Sequence, residues 1–191
     1  MSRRIECMPC PPGALPEVLL LTPPRFADAR GWFSESWNPT AFAATGVTTD
    51  FVQDNHVHNA RAGTVRGLHM QIAPHGQVKL VRCLRGAIWD VAVDVRSGSP
   101  TFGLFAAARL DAASGTQILV PDGFLHGYVT LEDDTDVFYK VSAPWSADAE
   151  VGVRWNAPDL ALPWPVDPAQ AILSAKDAAL PSFAQMRERL A

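Results

Sequence analysis

Cysteine is scarce in this chain of 191 residues, which contains Cys7, Cys10 and Cys83 and no others. So small and odd a set excludes the disulfide framework that small secreted proteins use, and it favours a reducing compartment. Cys7 and Cys10 have the CxxC spacing, but no second pair follows and no strand-to-helix redox context surrounds them. We therefore expect inert thiols, with neither a zinc site nor a redox centre.

The sequence also lacks long apolar runs and runs of basic residues. Nowhere are there about 18 consecutive apolar residues, and the amino terminus lacks the apolar core of a secretion signal. The formal charge is −4 and the isoelectric point about 5.7, which argue against a surface for nucleic acid or anionic membranes. The sequence therefore predicts a cytoplasmic protein that binds neither nucleic acid nor membrane.

Lysine and tyrosine are rare as well. Lys79, Lys140 and Lys176 are the lysines among 16 basic residues, and Tyr128 and Tyr139 are the two tyrosines. In a chain that otherwise uses arginine and phenylalanine, each of these residues invites a functional explanation. Surface charge and ring packing remain sufficient for Lys140 and Tyr128.

Glycine and proline are plentiful, at 13 and 16 residues, and they separate short alternating runs. These runs predict strands at 18–22, 77–84 and 87–95 within a mainly β protein, a sandwich or barrel. Asn38-Pro39 predicts a helix over about 39–45, and Ser182 opens a capping-box pattern for a carboxy-terminal helix of roughly ten residues. We expect one domain over 1–191, with a β core at about 50–155 and a helical tail at about 167–191.

Two histidine motifs indicate the architecture more closely. Gly63-x5-His69 and Pro121-x-Gly123-x2-His126 are the pieces of the two cupin motifs, which predict a double-stranded β-helix, or jelly roll, with both histidines facing its interior. Metal-binding cupins place a second histidine two residues after the first, where this chain has Gln71. We therefore expect no metal and no cofactor, while His56 and His58 remain a less favoured alternative pair of ligands.

An interior histidine without a metal has two explanations. His126 is as well explained by a core histidine bonded to a neighbouring carbonyl as by a ligand contact. His69 is different, because it shares its stretch with Arg66 and would face Lys79 across a cavity. Unpaired polar groups are costly to bury, so this grouping indicates a bound ligand, and a neutral imidazole there is a suitable general base.

The chain resembles the dTDP-4-dehydrorhamnose 3,5-epimerase family over nearly its whole length. The matching segments are residues 28–35, 51–56, 66–71, 77–81, 90–102, 121–127, 139–140 and 173–177, with Glu150, Trp155-Asn156 and Trp164-Pro165. Each segment is weakly diagnostic alone, but their order and spacing together are specific for the family. They do not specify one substrate.

The resemblance implies a set of catalytic roles. His69 is implied as the base that removes a proton beside the 4-keto group of the sugar, and Tyr139 as the acid on the opposite face of the ring. Asp177 is implied as the carboxylate that orients His69, and Lys79 as the charge beside the developing enolate. A capping role at a helix start competes with this assignment of Asp177, because Ser174 precedes it by three residues.

The resemblance also implies residues that bind the nucleotide sugar. These are Arg30, Glu35, Gln53, Asp54, Asn55, Arg66, His126, Trp145, Glu150 and Lys176. Surface or intra-sheet ion pairs are the competing explanation, most strongly for Glu35 and Glu150. The chain departs from the commonest family pattern in two places: His56-Val57-His58-Asn59 replaces His-Ser-x-Ser, and Trp145 stands where tyrosine is frequent.

We therefore expect a cofactor-independent epimerase that inverts C3, C5 or both in a nucleotide-linked 4-keto-6-deoxyhexose, with dTDP-4-keto-6-deoxyglucose as the expected substrate. Four alternatives remain open: a single-centre epimerase, a 3,4-ketoisomerase, a metal-dependent cupin oxygenase and a sugar-nucleotide binding module. The resemblance further implies a homodimer in which the amino-terminal strand is exchanged between subunits.

Overall fold

The computed structural model describes residues 4–190, with side chains up to Glu188, and folds them into two antiparallel sheets and a small hairpin. Residues 1–3, part of the amino terminus considered for a secretion signal, and residue 191 lie outside this range. The larger sheet has the strand order β1-β2-β10-β7-β12-β5. Its strands, in that order, are Glu6–Pro9, Leu19–Thr22, Gln117–Val120, Lys79–Arg85, Thr135–Val141 and Gln53–Asn59.

The second sheet has the order β13-β6-β11-β8-β9. Its strands, in that order, are Glu150–Gly152, Val65–Gln71, Phe124–Thr130, Ala87–Asp94 and Phe105–Asp111. Strands β3 (Phe26–Asp28) and β4 (Gly31–Phe33) form a separate hairpin. The predicted cupin jelly roll is confirmed, since the mainly β architecture is built from two antiparallel sheets.

Side-chain alternation assembles the core as predicted. Val81 and Cys83 of β7 point between the sheets and pack with Ile118, Ile88 and Ala92 of other strands. Leu80 and Val78 point the opposite way, toward a second cluster built around Phe42. Because successive residues of a strand point to opposite faces, β7 packs one face between the sheets and the other against an outer layer.

Three short helices within the described residues cover the outer faces: α1 (Pro39–Ala43), α2 (Ala175–Ala178) and α3 (Phe183–Leu190). Asn38 caps α1 by accepting hydrogen bonds from the backbone N–H groups of Thr40 and Ala41, as its position before Pro39 predicts. Ser182 and Gln185 form the predicted capping box of α3. In the part of the chain that is described, no helix has the length and apolarity to cross a membrane.

The carboxy-terminal tail is less helical than predicted. Asp167 accepts a hydrogen bond from the Ala169 N–H at 2.9 Å and forms a turn rather than a helix cap. The chain after this turn is extended, because Ile172 makes a parallel bridge to Thr64 beside β6. This bridge directs the tail along β6 and places α2 beside the sheet, where Asp177 is the buried residue of the helix.

Candidate active site

A polar cavity of about 270 Å³ lies between the two sheets, with a smaller one of about 180 Å³ adjoining it. His69, Lys79 and Tyr139 line both cavities, so the two form one continuous site. The outer cavity is completed by Gln53, Asn55, Met70, Gln71, Gln77, Trp145 and Glu150. The inner cavity is completed by Val57, Arg66, His126, Tyr128 and Asp177.

Strand alternation explains which predicted residues reach the site. Gln53, Asn55 and Val57 occupy alternate positions of β5 and face inward, so Asp54 points outward, where its carboxylate binds Lys140 Nζ at 2.7 Å. The pairing explains Lys140 as a surface charge. The expected contact between Asp54 and the sugar nucleotide receives no support from its position.

His69 and Asp177 form the central hydrogen bond of the site. His69 Nε2 lies 2.7 Å from Asp177 Oδ1, although 108 residues separate the two in the chain. Because a carboxylate can only accept, Nε2 carries the ring hydrogen and Nδ1 keeps a free lone pair. The competing role also holds: the Asp177 N–H donates to Ser174 Oγ at 3.0 Å, so α2 is capped through the backbone of Asp177 while its side chain remains available for His69.

Glu150 lies on the other side of the His69 ring, with Oε1 3.8 Å from Nδ1. Its second oxygen binds Lys176 Nζ at 2.7 Å and accepts from the Trp145 indole at 3.1 Å. Burial opposes ionisation of this carboxyl, but the bonds from Lys176 and Trp145 hold the pKa of Glu150 below its ordinary value. Glu150 is therefore an anion that lies between His69 and the rim of the cavity.

Burial controls the protonation of His69. It lowers the pKa of His69 below the ordinary imidazole value, Asp177 and Glu150 oppose this shift, and Lys79 adds to it. The imidazole is therefore neutral near pH 7, which is the state in which Nδ1 can accept a proton. Its orientation and its basicity both suit a general base.

Lys79 and Tyr139 come from the opposite sheet. Lys79 Nζ is 3.4 Å from the backbone oxygen of His69, which it reaches across the gap between β7 and β6. Burial lowers the pKa of Lys79 to about 8, against the opposing influence of Asp90 and Glu150. Burial raises the pKa of Tyr139, Arg66 opposes that rise, and Glu150 adds to it. The site thus holds a proton donor and a positive charge facing the imidazole.

His126 is held by a residue that sequence reasoning missed. Its Nε2 lies 2.9 Å from both carboxylate oxygens of Asp90, which is fully buried on β8. His126 is also the cross-strand partner of His69, and it lines the inner cavity. Trp89 and Asp90 are successive residues of β8, so their side chains lie on opposite faces of the strand. An acidic residue on the interior face of a mostly apolar strand was the signal that could have identified Asp90.

Arg30 and Glu35 do not reach this cavity from their own chain. Arg30 lies at the turn between β3 and β4, with its side chain 90% exposed and paired with Asp28 at 2.6 Å. Glu35 is exposed just after the hairpin and accepts a weak hydrogen bond from Asn38 at 3.4 Å. The single chain therefore separates these two predicted binding residues from the rest.

The candidate metal ligands His56 and His58, and Gln71 at the position of a cupin ligand, have hydrogen-bond or charged partners within the protein. His56 and His58 lie on the outer face of β5, where His58 Nδ1 is 2.9 Å from Asp136 Oδ1 and His56 Nε2 is 3.7 Å from the same oxygen. Gln71 uses its amide to hold two loops, donating to the His75 and Pro144 oxygens and accepting from the Ser146 N–H. Among residues 4–190, no group of three or more histidine, cysteine, aspartate or glutamate side chains is arranged to hold a metal ion.

A jelly-roll cavity that contains an oriented imidazole, a facing phenol and a buried amine defines an enzyme of the acid–base type. The family model for dTDP-4-dehydrorhamnose 3,5-epimerase matches residues 12–185. The enzyme of that name from Sinorhizobium fredii is 46% identical over 173 residues, which cover 91% of this chain and 88% of that protein. The chain belongs to the dTDP-4-dehydrorhamnose 3,5-epimerase family.

Solved structures agree with this assignment. The dTDP-4-dehydrorhamnose 3,5-epimerase from Bacillus anthracis, with TDP and PPi bound, superposes with a TM-score of 0.87 at 46% identity, covering 93% of this chain and 100% of that one. The dTDP-6-deoxy-D-glucose-3,5-epimerase from Legionella pneumophila, in complex with dTDP-4-keto-L-rhamnose, gives a TM-score of 0.90 at 34% identity. The superposition covers 98% of this chain and 97% of the Legionella pneumophila chain.

Proposed function

We propose that the protein epimerises C3 and C5 of a dTDP-linked 4-keto-6-deoxyhexose by proton transfer. The observation that carries this proposal is the 2.7 Å bond between His69 and Asp177, in a cavity that Tyr139 lines from the opposite sheet. A 4-ketone acidifies the hydrogens on both neighbouring carbons. A base on one side of the sugar ring and an acid on the other can therefore invert either centre.

In the proposed step, His69 Nδ1 takes the proton from C3 or C5, and the electron pair of the broken C–H bond moves into an enolate. Asp177 stabilises the imidazolium through Nε2, and the ammonium of Lys79 stabilises the charge on the enolate oxygen. Tyr139 then donates its proton to the same carbon from the opposite face and becomes a phenolate. Solvent returns a proton to Tyr139 and removes one from His69, so the cycle needs no redox partner.

The outer cavity supports a binding role for the nucleotide. Trp145 is exposed at its rim, where an indole face can stack on a base, and Glu150 holds the indole N–H at 3.1 Å. The amides of Gln53 and Asn55 are bonded to each other at 2.9 Å and face the same space. Lys176, which binds Glu150 at the rim, supplies positive charge for the diphosphate, and Arg66 supplies positive charge in the inner cavity that Tyr139 also lines.

The test is incubation with dTDP-4-keto-6-deoxyglucose in heavy water, followed by NMR of each ring carbon. We expect deuterium and inversion at both C3 and C5. Deuterium and inversion at a single carbon would replace the proposal with a single-centre epimerase, and a shifted carbonyl resonance would indicate a 3,4-ketoisomerase. Binding without exchange at either carbon would reject catalysis.

The variant His69→Asn provides the matched control, because it keeps a polar side chain but removes the basic nitrogen. We expect it to lose both deuterium uptake and inversion while retaining the melting temperature and the binding of dTDP. Full exchange in this variant would exclude His69 as the base.

We also propose a homodimer in which the β3–β4 hairpin of one subunit completes the site of the other. The hairpin takes the place of the expected amino-terminal strand in this proposal, because β1 pairs with β2, and β2 with β10, within their own chain. Trp32 and Phe33 of β4 are 59% and 64% exposed, and as neighbours in the chain they place two large apolar side chains on the surface of the hairpin. Arg30 and Glu35 lie on or beside this hairpin, away from their own cavity. A second subunit would bury the aromatic rings and provide a site for both charged residues.

Intersubunit complementation tests this arrangement. Arg30→Ala and His69→Ala chains are purified separately, unfolded together, refolded and assayed. If Arg30 acts in the neighbouring site, a mixed dimer contains one site with both natural residues, and activity returns. If Arg30 acts within its own chain, every site in the mixture lacks one residue and activity stays absent, which would refute the exchange.

A further inference from the structure

Asn59 ends strand β5 inside the protein, and each of its amide atoms has a partner. The side chain is buried, with 2% exposed, and its Nδ2 donates to the Thr135 backbone oxygen at 3.1 Å and to the Tyr128 hydroxyl at 3.5 Å. Because a carbonyl oxygen can only accept, Nδ2 must face Thr135. The amide oxygen Oδ1 is thereby directed at Arg66, whose Nε donates to it at 2.8 Å.

This bond joins the two sheets. Asn59 and Thr135 are cross-strand partners in the larger sheet, whereas Arg66 lies on β6 of the smaller sheet, opposite Tyr128 of β11. Among the described residues, Asn59 is the hydrogen-bond partner of the Arg66 guanidinium, which makes no ion pair with a carboxylate. Asn59 therefore occupies Nε and leaves the two Nη groups of Arg66 available to the inner cavity that this arginine lines with Tyr139.

We infer that Asn59 is a positioning residue: its amide oxygen fixes the Arg66 guanidinium beside Tyr139, so that the phenol can deliver its proton and persist as a phenolate. This inference rests on the proposed function, in which Tyr139 is the acid. Nothing in the side chain of Asn59 touches the sugar in this role, since both of its amide atoms are used within the protein.

The electrostatics of the inner cavity agree with this role. Burial disfavours the phenolate of Tyr139, and the positive charge of Arg66 acts against that effect. A guanidinium that is free to rotate away would lose this influence, because charge interactions weaken with distance. Once the enolate has formed, a slower proton transfer from Tyr139 would let His69 return its proton, exchanged with solvent, to the original face.

The measurement is the ratio of inversion to deuterium exchange at each carbon in heavy water. In Asn59→Ala the ratio is expected to fall about tenfold or more, the effect of losing one hydrogen bond to a charged group. Asn59→Asp keeps an oxygen acceptor for Arg66, but it offers the Thr135 oxygen no donor and adds a negative charge that offsets the guanidinium, so its ratio is expected to fall as well. A change in stability alone would alter the amount of active enzyme and leave the ratio constant.

A double-mutant cycle with Arg66→Met separates a role through Arg66 from a general structural role. If Asn59 acts through the guanidinium, Asn59→Ala has no further effect on the ratio in the Arg66→Met background. Additive effects, or an unchanged ratio in Asn59→Ala, would overturn the inference. If Asn59→Ala does not fold, Asn59→Ser, which is smaller and polar, takes its place in the same cycle.

The natural enzyme distinguishes this inference from the proposed function. If it shows no exchange at C3 or C5, the proposed function fails, and the positioning role fails with it. If it exchanges and inverts normally but the cycle is additive, the proposed function stands and the inference about Asn59 alone is wrong.

Discussion

His69 Nε2 and Asp177 Oδ1 lie 2.7 Å apart. The histidine is on β6 and the carboxylate on α2, and strands β7 to β13 lie between these two elements in the chain. The turn at α2 has two functions at one residue, since the backbone of Asp177 is capped by Ser174 while its side chain binds the imidazole. The cap fixes the position of the helix end, and the helix end fixes the carboxylate. The backbone at α2 thus fixes the orientation of the His69 ring, as a general base in this position would require.

Asp177→Asn is expected to reduce kcat/KM by about 10²- to 10⁴-fold, the usual contribution of acid–base catalysis. An amide removes the charge that favours the imidazolium, so the already lowered pKa of His69 falls further. The acid limb of the pH profile of kcat/KM should then move to lower pH. Steady-state rates between pH 4 and 9 measure both effects, and a limb that does not move would contradict the pairing.

Ser174→Ala is the matched control for this variant, because it removes the cap and leaves the carboxylate in the chain. Loss of an N-cap costs about 1 kcal/mol of stability. We expect a small decrease in melting temperature and a loss of activity far below that of Asp177→Asn. Equal losses in the two variants would mean that the position of the helix, and not the charge of Asp177, controls the rate.

The fold was accessible to sequence reasoning where alternation is strict. In β7 and β8 the interior and exterior residues follow the predicted alternation, because one face of each strand is buried between the sheets. The structure of the carboxy-terminal tail could not be predicted in the same way. Asp167-Pro168 is typical of a helix start, but the bridge between Ile172 and Thr64 holds the following segment extended, and that contact joins residues far apart in sequence.

In the site, too, some residues could be predicted from the sequence and others could not. The resemblance supplied His69, Tyr139, Lys79 and Asp177 by position, and the cavity brings all four together. Asp90 and Asn59 were missed, because their importance arises from the partners His126 and Arg66, which tertiary structure alone reveals. Arg30 and Glu35 lie on and just after the β3–β4 hairpin, away from the cavity of their own chain, and the proposed dimer would give them a site in a second subunit.

Tyr139→Phe is expected to abolish inversion and retain deuterium exchange at the carbon that His69 can reach. The phenyl ring keeps the packing of Tyr139 against the core, so stability should change little. Proton NMR in heavy water separates the two events. Tyr128→Phe is the control, because the Tyr128 hydroxyl makes a long bond of 3.5 Å to Asn59, and a much smaller loss is expected. Loss of exchange together with inversion in Tyr139→Phe would contradict a separate acid.

Gly67→Ala is expected to destabilise the protein and to lower kcat. Gly67 has φ +116°, and a Cβ there would lie 2.7 Å from both the Gly127 Cα and the His126 oxygen, so β6 and β11 would have to separate. Gly46→Ala is the control, with φ +90° but open space around the new Cβ. Chemical denaturation should give about 1 kcal/mol for Gly46→Ala and a larger loss for Gly67→Ala. Equal losses would mean that strand separation costs nothing.

Lys79 should impose an alkaline limb on the pH profile. Burial lowers the pKa of Lys79 to about 8, and the ammonium form is the one that stabilises an enolate. We therefore expect kcat/KM to fall as pH rises through about 8. Lys79→Arg keeps its charge at this pH, so any activity that remains should continue to higher pH. A limb at the same pH in both proteins would assign it to another group.

The buried ammonium of Lys79 is also expected to lower the free energy of unfolding at neutral pH. Its folded-state pKa lies below the ordinary lysine value, so between about pH 8 and 10.5 the unfolded chain binds more protons and stability rises with pH. Below pH 8 the full cost of burying the charge is present. Lys79→Met is therefore expected to unfold at higher urea than the natural protein at pH 7, with the difference narrowing at pH 10, while losing epimerisation. Urea midpoints of Lys79→Met that are lower than those of the natural protein at pH 7 would mean that the buried ammonium does not destabilise the fold.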